Sequence, residues 1–131
     1  KIIRVASALI EDRAGRLLLV RKTGTPWFMQ AGGKIEPGER PVEALVRELK
    51  EEIGFDVSEA ELRELGRFSA VAANEAATMV EADLFYLRTD RTPVIAAEIA
   101  EAVWITKRQA PDLPLAPLTR LYVLPLATGV R

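Results

Sequence analysis

The chain of 131 residues contains no cysteine and no histidine. The first absence excludes disulfides and thiolate zinc sites. The second removes Ser-His-Asp and Cys-His catalysis, imidazole metal sites and phosphohistidine chemistry. Serine is scarce too: Ser7, Ser58 and Ser69 are the only ones, and none stands in a G-x-S-x-G elbow. Any catalysis must therefore rest on carboxylates, Lys, Arg, Tyr, water and metal. There is no excess of charge of either sign, the formal net charge being −1. A duplex nucleic-acid partner usually requires a broad basic surface, so a long nucleic acid is not expected, whereas a small nucleotide remains open. No apolar run is long enough to cross a bilayer and no signal-peptide pattern opens the chain, so no membrane partner is expected and a cytoplasmic protein is the default. The chain starts at Lys1 rather than Met, which reads as a trimmed or missing start.

What is present is ordinary in bulk and unusual in one place. Hydrophobic residues make up 49% and charged residues 28%, proportions of a globular protein. The length suggests one domain over 1–131, large enough to bury a core without staples. Ile2 to Ile10 is β-branched and apolar and reads as a strand. Glu11-Asp12-Arg13-Ala14-Gly15 is a polar turn, and Arg16 to Val20 a second strand, so the two are expected to form a hairpin. Trp27-Phe28-Met29-Gln30 leads into Ala31-Gly32-Gly33. Leu65 to Ala73, Thr78 to Leu87 and Ala102 to Ile105 read as further strands. Leu118 to Leu124 reads as a C-terminal helix started by Pro117 and ended by Pro125. Strands with few intervening helices predict a mixed α/β or α+β sheet packed by helices.

Pro41 to Ile53 carries the clearest local signal. Val42, Leu45, Val46, Leu49 and Ile53 recur at helical spacing, Pro41 suits the first turn and Gly54 the position past the end. Arg40 is a poor N-cap, but Glu43 can reach back to its N–H. On a helical wheel Glu48, Glu51 and Glu52 span an arc of roughly 100° beside the apolar stripe. Arg47 and Lys50 fall across that stripe, which predicts weak local neutralisation of the three acids. Like charges at this spacing repel by about 0.2–0.5 kcal/mol per pair, and these lie near the C-terminal end, where the helix dipole disfavours them. A solvated surface face accounts for such a run when it is taken alone. Three hard oxygen ligands beside a loop that lets backbone approach closely, Gly32-Gly33, followed by the cation Lys34, account for it better as a site for Mg²⁺ and phosphate.

The stretch Gly33 to Phe55 carries Gly33, Glu39, Arg47, Glu48, Leu49, Glu51, Glu52, Gly54 and Phe55 in the order G-x5-E-x7-R-E-aliphatic-x-E-E-x-G-apolar. It resembles the signature of the Nudix (MutT-like) hydrolases at every specified position. The resemblance implies an α/β/α sandwich with a mixed sheet over nearly the whole chain. It implies hydrolysis of a nucleoside diphosphate linked to a further moiety X, dependent on Mg²⁺ or Mn²⁺. Carried over position by position, Glu48, Glu51 and Glu52, with the Gly32 carbonyl, would hold the metal. Glu52 would also orient or deprotonate water, and Arg47 would pair with Glu39 and brace the loop. Lys34 and Gly33 would face phosphate. Glu98 or Glu101 would be an additional acid from outside the helix. Arg21 and Lys22 are candidates to reach phosphate, with a solvated strand end as the ordinary alternative, and Trp27 and Phe28 are candidate substrate contacts, with core packing as the ordinary alternative. Asn74 and Glu75 could read a base edge. A compact chain of this kind is similar to housecleaning nucleoside triphosphatases, including those acting on oxidised nucleotides. It departs from the MutT pattern in lacking an asparagine in Leu115 to Arg120. ADP-ribose, nucleotide sugars, dinucleoside polyphosphates and capped RNA ends therefore stay open as substrates, and a catalytically silent nucleotide-binding module is the rival from another class. Dimers are common in the family it resembles, which leaves a homodimer as an expectation.

Overall fold

The computed structural model describes residues 1–96 and 98–129. Its strands are β1 (Ile2–Glu11), β2 (Leu17–Lys22), β3 (Phe28–Met29), β4 (Ala31–Lys34), β5 (Arg63–Val71), β6 (Met79–Arg88) and β7 (Ile99–Ile105). Its helices are α1 (Pro41–Ile53) and α2 (Leu124–Gly129), with 3-10 turns at Glu59–Glu61 and Ala110–Asp112. Among the described residues the seven strands form one mixed sheet.

β1 is the hub of that sheet. It runs parallel to β6 from Ile2↔Met79 to Glu11↔Arg88 and antiparallel to β4 from Val5↔Lys34 to Ala8↔Ala31. The hairpin expected between β1 and β2 exists only at its base, where Glu11 faces Leu17. Beyond it the strands part, and β2 pairs with β3 and β7 instead. The reason lies in Gly32. A Cβ there would stand 2.2 Å from the Ala6 carbonyl oxygen and 2.6 Å from the Ser7 Cα. Only glycine lets β4 lie this close to β1, and β4 thereby occupies the edge that a longer hairpin would have used.

Two layers cover the sheet. β1 residues Ala6, Ala8 and Ile10 face the α1 side, packed with Ala44, Leu45, Leu49 and Ile53. The opposite β1 face, through Leu9, meets Leu118, Val123 and Ala127 of the C-terminal segment. The alternation of β1 thus serves two cores, and the result is the α/β/α sandwich expected.

α1 has the bounds its periodicity predicts. The Glu43 Oε1 accepts the Arg40 N–H at 2.8 Å, as expected for the start. At the end Gly54 takes a φ of +70°, and the N–H groups of Gly54 and Phe55 donate to the carbonyls of Lys50 and Leu49 at 3.1 Å each. The C-terminal segment corrects the expectation that Pro125 ends the helix. Pro117 does open the helical run, but Thr119–Val123 forms a π turn and α2 continues through Pro125 to Gly129. Proline excludes itself from a regular helix by clashing with the carbonyl four residues back. The wider turn, in which the Leu124 N–H donates to the Thr119 carbonyl, relieves that constraint.

Candidate active site

The site forms where α1 crosses the β4 glycines. Glu52 Oε1 accepts the Gly32 N–H at 3.1 Å. Glu48 lies against Gly33, where a Cβ would stand 2.3 Å from the Glu48 Cδ and 2.4 Å from its Oε1. The two glycines therefore perform different tasks: Gly32 admits β4 to β1, and Gly33 makes room for a carboxylate. Glu51 differs from its two neighbours, for its side chain is 61% exposed and its contact is to Arg47 Nη1 at 3.6 Å. Among the described residues no three acidic side chains converge closely enough to enclose a cation.

Burial pushes the Glu52 carboxyl up to about 7. The Gly32 N–H and Lys22 oppose that shift, and the charges of Glu48 and Glu98 add to it. Of the two outlying acids singled out in the sequence, the structure thus brings Glu98 within electrostatic reach of Glu52. Glu101 is tied elsewhere, accepting the Arg21 Nε at 2.8 Å. A strap before Glu98 binds the helix end: the Val94 N–H donates to the Ile53 carbonyl at 2.8 Å and the Ala96 N–H to the Glu52 carbonyl at 3.0 Å.

Arg47 organises the flank. Its Nε and Nη2 donate to the two Glu39 oxygens at 2.8 Å each, its Nη2 to the Lys34 carbonyl at 3.0 Å, and its Nη1 to Glu48 Oε2 at 2.6 Å. The bidentate hydrogen bonding from Arg47 and the Glu36 N–H hold the Glu39 carboxyl down at about 2. The Arg47–Glu39 brace implied by the family resemblance is therefore present. The expectation that Arg47 is poorly placed to neutralise the acids is corrected. Arg47 and Glu51 are four residues apart, hence only about 40° apart on the wheel, and the long guanidinium also folds back to Glu48.

A cavity of about 180 Å³ opens beside Glu52. Gly32, Gly33, Lys34 and Lys22 line it near the acids, and Asn74 and Glu75 line it elsewhere, as does Gln30. Arg21, Trp27 and Phe28 are not among its lining residues. Arg21 is engaged by Glu101 and by the Thr25 carbonyl, and Phe28 is core, packed with Leu19, Ala110 and Leu115. Lys22, the neighbour of Arg21, takes the cavity-facing place because side chains alternate along β2. Sequence reasoning missed three polar cavity residues, Ser7, Gln30 and Thr119, which only tertiary structure brings together. Leu115 to Arg120 indeed holds no asparagine, and Thr119 is the polar residue it contributes to the lining.

Glu48 and Glu52 offer hard oxygen donors, the chemistry that a divalent cation takes, without a closed cluster of three acids around one point. Burial disfavours the charged form of Glu52, the charge of Glu48 adds to that effect, and Lys22 opposes it. Hard oxygen donors of this kind select Mg²⁺ or Mn²⁺ over softer metals.

The family model described as NUDIX domain matches residues 1–125. A CTP pyrophosphohydrolase of Escherichia coli is 33% identical over 127 residues, covering 89% of this chain and 85% of that protein. An 8-oxo-dGTP diphosphatase of Haemophilus influenzae is 38% identical over 91 residues, which span 66% of this chain and 62% of that protein. The fold is similar to that of the E. coli dihydroneopterin triphosphate pyrophosphohydrolase, with a TM-score of 0.81 and 18% identity over 99% of this chain and 100% of the other.

Proposed function

The chain belongs to the Nudix hydrolase family, and from that premise we propose that it hydrolyses the diphosphate linkage of a nucleoside diphosphate joined to a further group X. Nucleoside triphosphates are the first substrates to consider, since the two relatives above are named for CTP and 8-oxo-dGTP. The observation that carries the reading is the Glu52 carboxyl, buried on the Gly32 N–H and pushed up to about 7, beside a cavity that Lys22 and Lys34 also line.

Glu48, Glu51 and Glu52 would hold Mg²⁺ or Mn²⁺, with the Gly32 carbonyl as a further oxygen. Such a cation, when bound, neutralises charge on the phosphoryl oxygens and acidifies water. The protein's own residues do the rest. Lys22 and Lys34 attract the phosphate oxygens, Lys34 as an exposed point charge on a flexible stem. Glu52, held on the Gly32 N–H, is placed to orient the attacking water or accept its proton. The water oxygen forms one P–O bond, the bridging P–O bond breaks, and the bridging oxygen leaves on one of the two products. Glu98 adds to the negative field on Glu52. Arg47 acts through others, fixing Glu39 and Glu48 so that the loop and helix keep their register.

Appearance of the nucleoside mono- or diphosphate over a panel of nucleoside triphosphates, ADP-ribose and nucleotide sugars in Mg²⁺ tests the reading. Turnover of at least one compound is expected, with Glu52→Gln lowering kcat by at least about a hundredfold. Tight nucleotide binding with no turnover of any compound would make the protein a binding module instead.

A further inference from the structure

The same cavity also has aliphatic walls, with Ile3, Val5 and Val80 on the sheet and Leu118 from the C-terminal segment. Polar side chains interrupt them: besides Asn74 and Glu75, three are bonded to one another. Thr119 Oγ1 donates to Gln30 Oε1 at 2.6 Å, and Gln30 Nε2 donates to Ser7 Oγ at 3.2 Å. Ser7 is 3% exposed and Thr119 fully buried.

The distances fix the way the Gln30 amide is turned. A separation of 2.6 Å suits a hydroxyl donor and is short for an amide N–H, whereas 3.2 Å suits the N–H. The carboxamide is therefore held at both ends, its oxygen toward the C-terminal segment and its nitrogen toward β1. Each end retains one capacity: a second lone pair on Oε1 and a second proton on Nε2. Among the described residues nothing else takes either.

We propose that Gln30 reads the base edge of the substrate nucleotide as a paired donor and acceptor, positioned by Ser7 and Thr119. This rests on the nucleotide-hydrolase reading above. A base fits the cavity better than a second sugar does. A planar ring needs apolar contact on its faces and hydrogen bonds along one edge, which is what aliphatic walls and one fixed amide supply. A sugar would need polar partners around its whole perimeter. Lys22 and Lys34, cations that suit phosphate, line the same cavity.

The amide also makes a prediction about chemical exchange. Gln30→Glu substitutes two acceptors for one donor and one acceptor, and so favours a base edge that presents two adjacent N–H donors, as guanine N1 and N2 do. Gln30→Met removes both groups at similar volume. Thr119→Val removes the hydroxyl that holds the amide while keeping the shape of the buried side chain, and Thr119→Ser keeps the hydroxyl.

The test measures kcat/KM for CTP, UTP, ATP, GTP and 8-oxo-dGTP, and in parallel the calorimetric binding of the α,β-methylene analogues of CTP, UTP, ATP and GTP. Gln30→Met is expected to narrow the ratio between the best and worst base by on the order of 10- to 100-fold. Thr119→Val should narrow it in the same direction, Thr119→Ser should restore it, and Gln30→Glu should move the ranking toward guanine. An unchanged base ranking in Gln30→Met, or a wild-type protein that binds all four analogues equally, would overturn the proposal. The analogue series decides without turnover. Absence of hydrolysis by the wild type would therefore count against the pyrophosphohydrolase reading while the role of Gln30 is still judged by binding.

Discussion

At the scale of the residue, Glu52 is where the requirements of folding and of function oppose each other. Its carboxyl is pushed up to about 7 from an ordinary 4.5, chiefly by burial. The folded protein therefore holds a proton that the unfolded chain releases between those two values. Stability from this group falls as pH rises through that window and is level above it. Ionising Glu52 in the folded, metal-free protein costs on the order of 3 kcal/mol. In EDTA at pH 8, Glu52→Gln should accordingly be more stable than the wild type by up to about that amount, read as a higher urea midpoint. Near pH 4 the two midpoints should coincide. A wild type equal to the variant at both pH values would show that burial does not shift this group. Glu39 behaves in the opposite sense. Its carboxyl is held near 2 by Arg47, so its contribution is present above the ordinary 4.5 and is lost as pH falls toward 2. Arg47→Lys keeps the charge but not the two-pronged bond to Glu39. It should lower kcat/KM by about tenfold, as loss of an orienting partner does, with little effect on the affinity for nucleotide measured without metal.

At the scale of the element, the close packing of α1 on β4 makes the two glycines distinguishable. Gly33→Ala would drive a methyl into the Glu48 carboxylate, a side chain that can move, so the expected effect falls on activity. Gly32→Ala would drive it into the Ala6 carbonyl and the Ser7 Cα, which are backbone. That change should destabilise the fold by about 3 kcal/mol or more, measured by thermal or urea unfolding. A Gly32→Ala protein as stable as the wild type would mean that β4 does not need its close approach to β1. Local elements were also the legible ones. The bounds of α1, its Glu43 return bond and the Gly54 stop follow from signals within a few residues of each other. The Nudix pattern is legible for the same reason, being confined to Gly33–Phe55. The sheet order was not. The parallel pairing of Ile2 with Met79 and the Thr119–Gln30 bond join residues 77 and 89 apart, and no periodicity encodes such partners. Pro125 misled because a proline is read as a stop, and the π turn that accommodates it has no comparable sequence mark.

At the scale of the whole molecule, the proposed metal site would link cation binding to the stability of the entire sandwich. Glu48 and Glu52 are carried by the helix whose other face is core, with Leu45, Leu49 and Ile53 fully buried. Charge repulsion at their oxygens therefore acts on α1, on β4 through the Gly32 N–H, and on the strap that binds the carbonyls of Glu52 and Ile53. A cation that binds the folded site and not the unfolded chain relieves this repulsion and adds RT ln(1 + [M]/Kd) to stability. At a hundred times its Kd that amounts to about 2.7 kcal/mol, or a rise in Tm of roughly 10 °C for a chain of this size. Mg²⁺ should therefore raise the Tm in a concentration-dependent way at pH 8, where Glu52 is ionised. The rise should shrink at pH 5, where protons and metal compete for that carboxylate. Glu52→Gln should have the higher Tm without metal and the smaller gain with it, so that the two melting curves cross as Mg²⁺ is added. Parallel curves for the two proteins at pH 8 would place any bound cation away from Glu52, and a flat response from both would count against a metal held by the α1 acids.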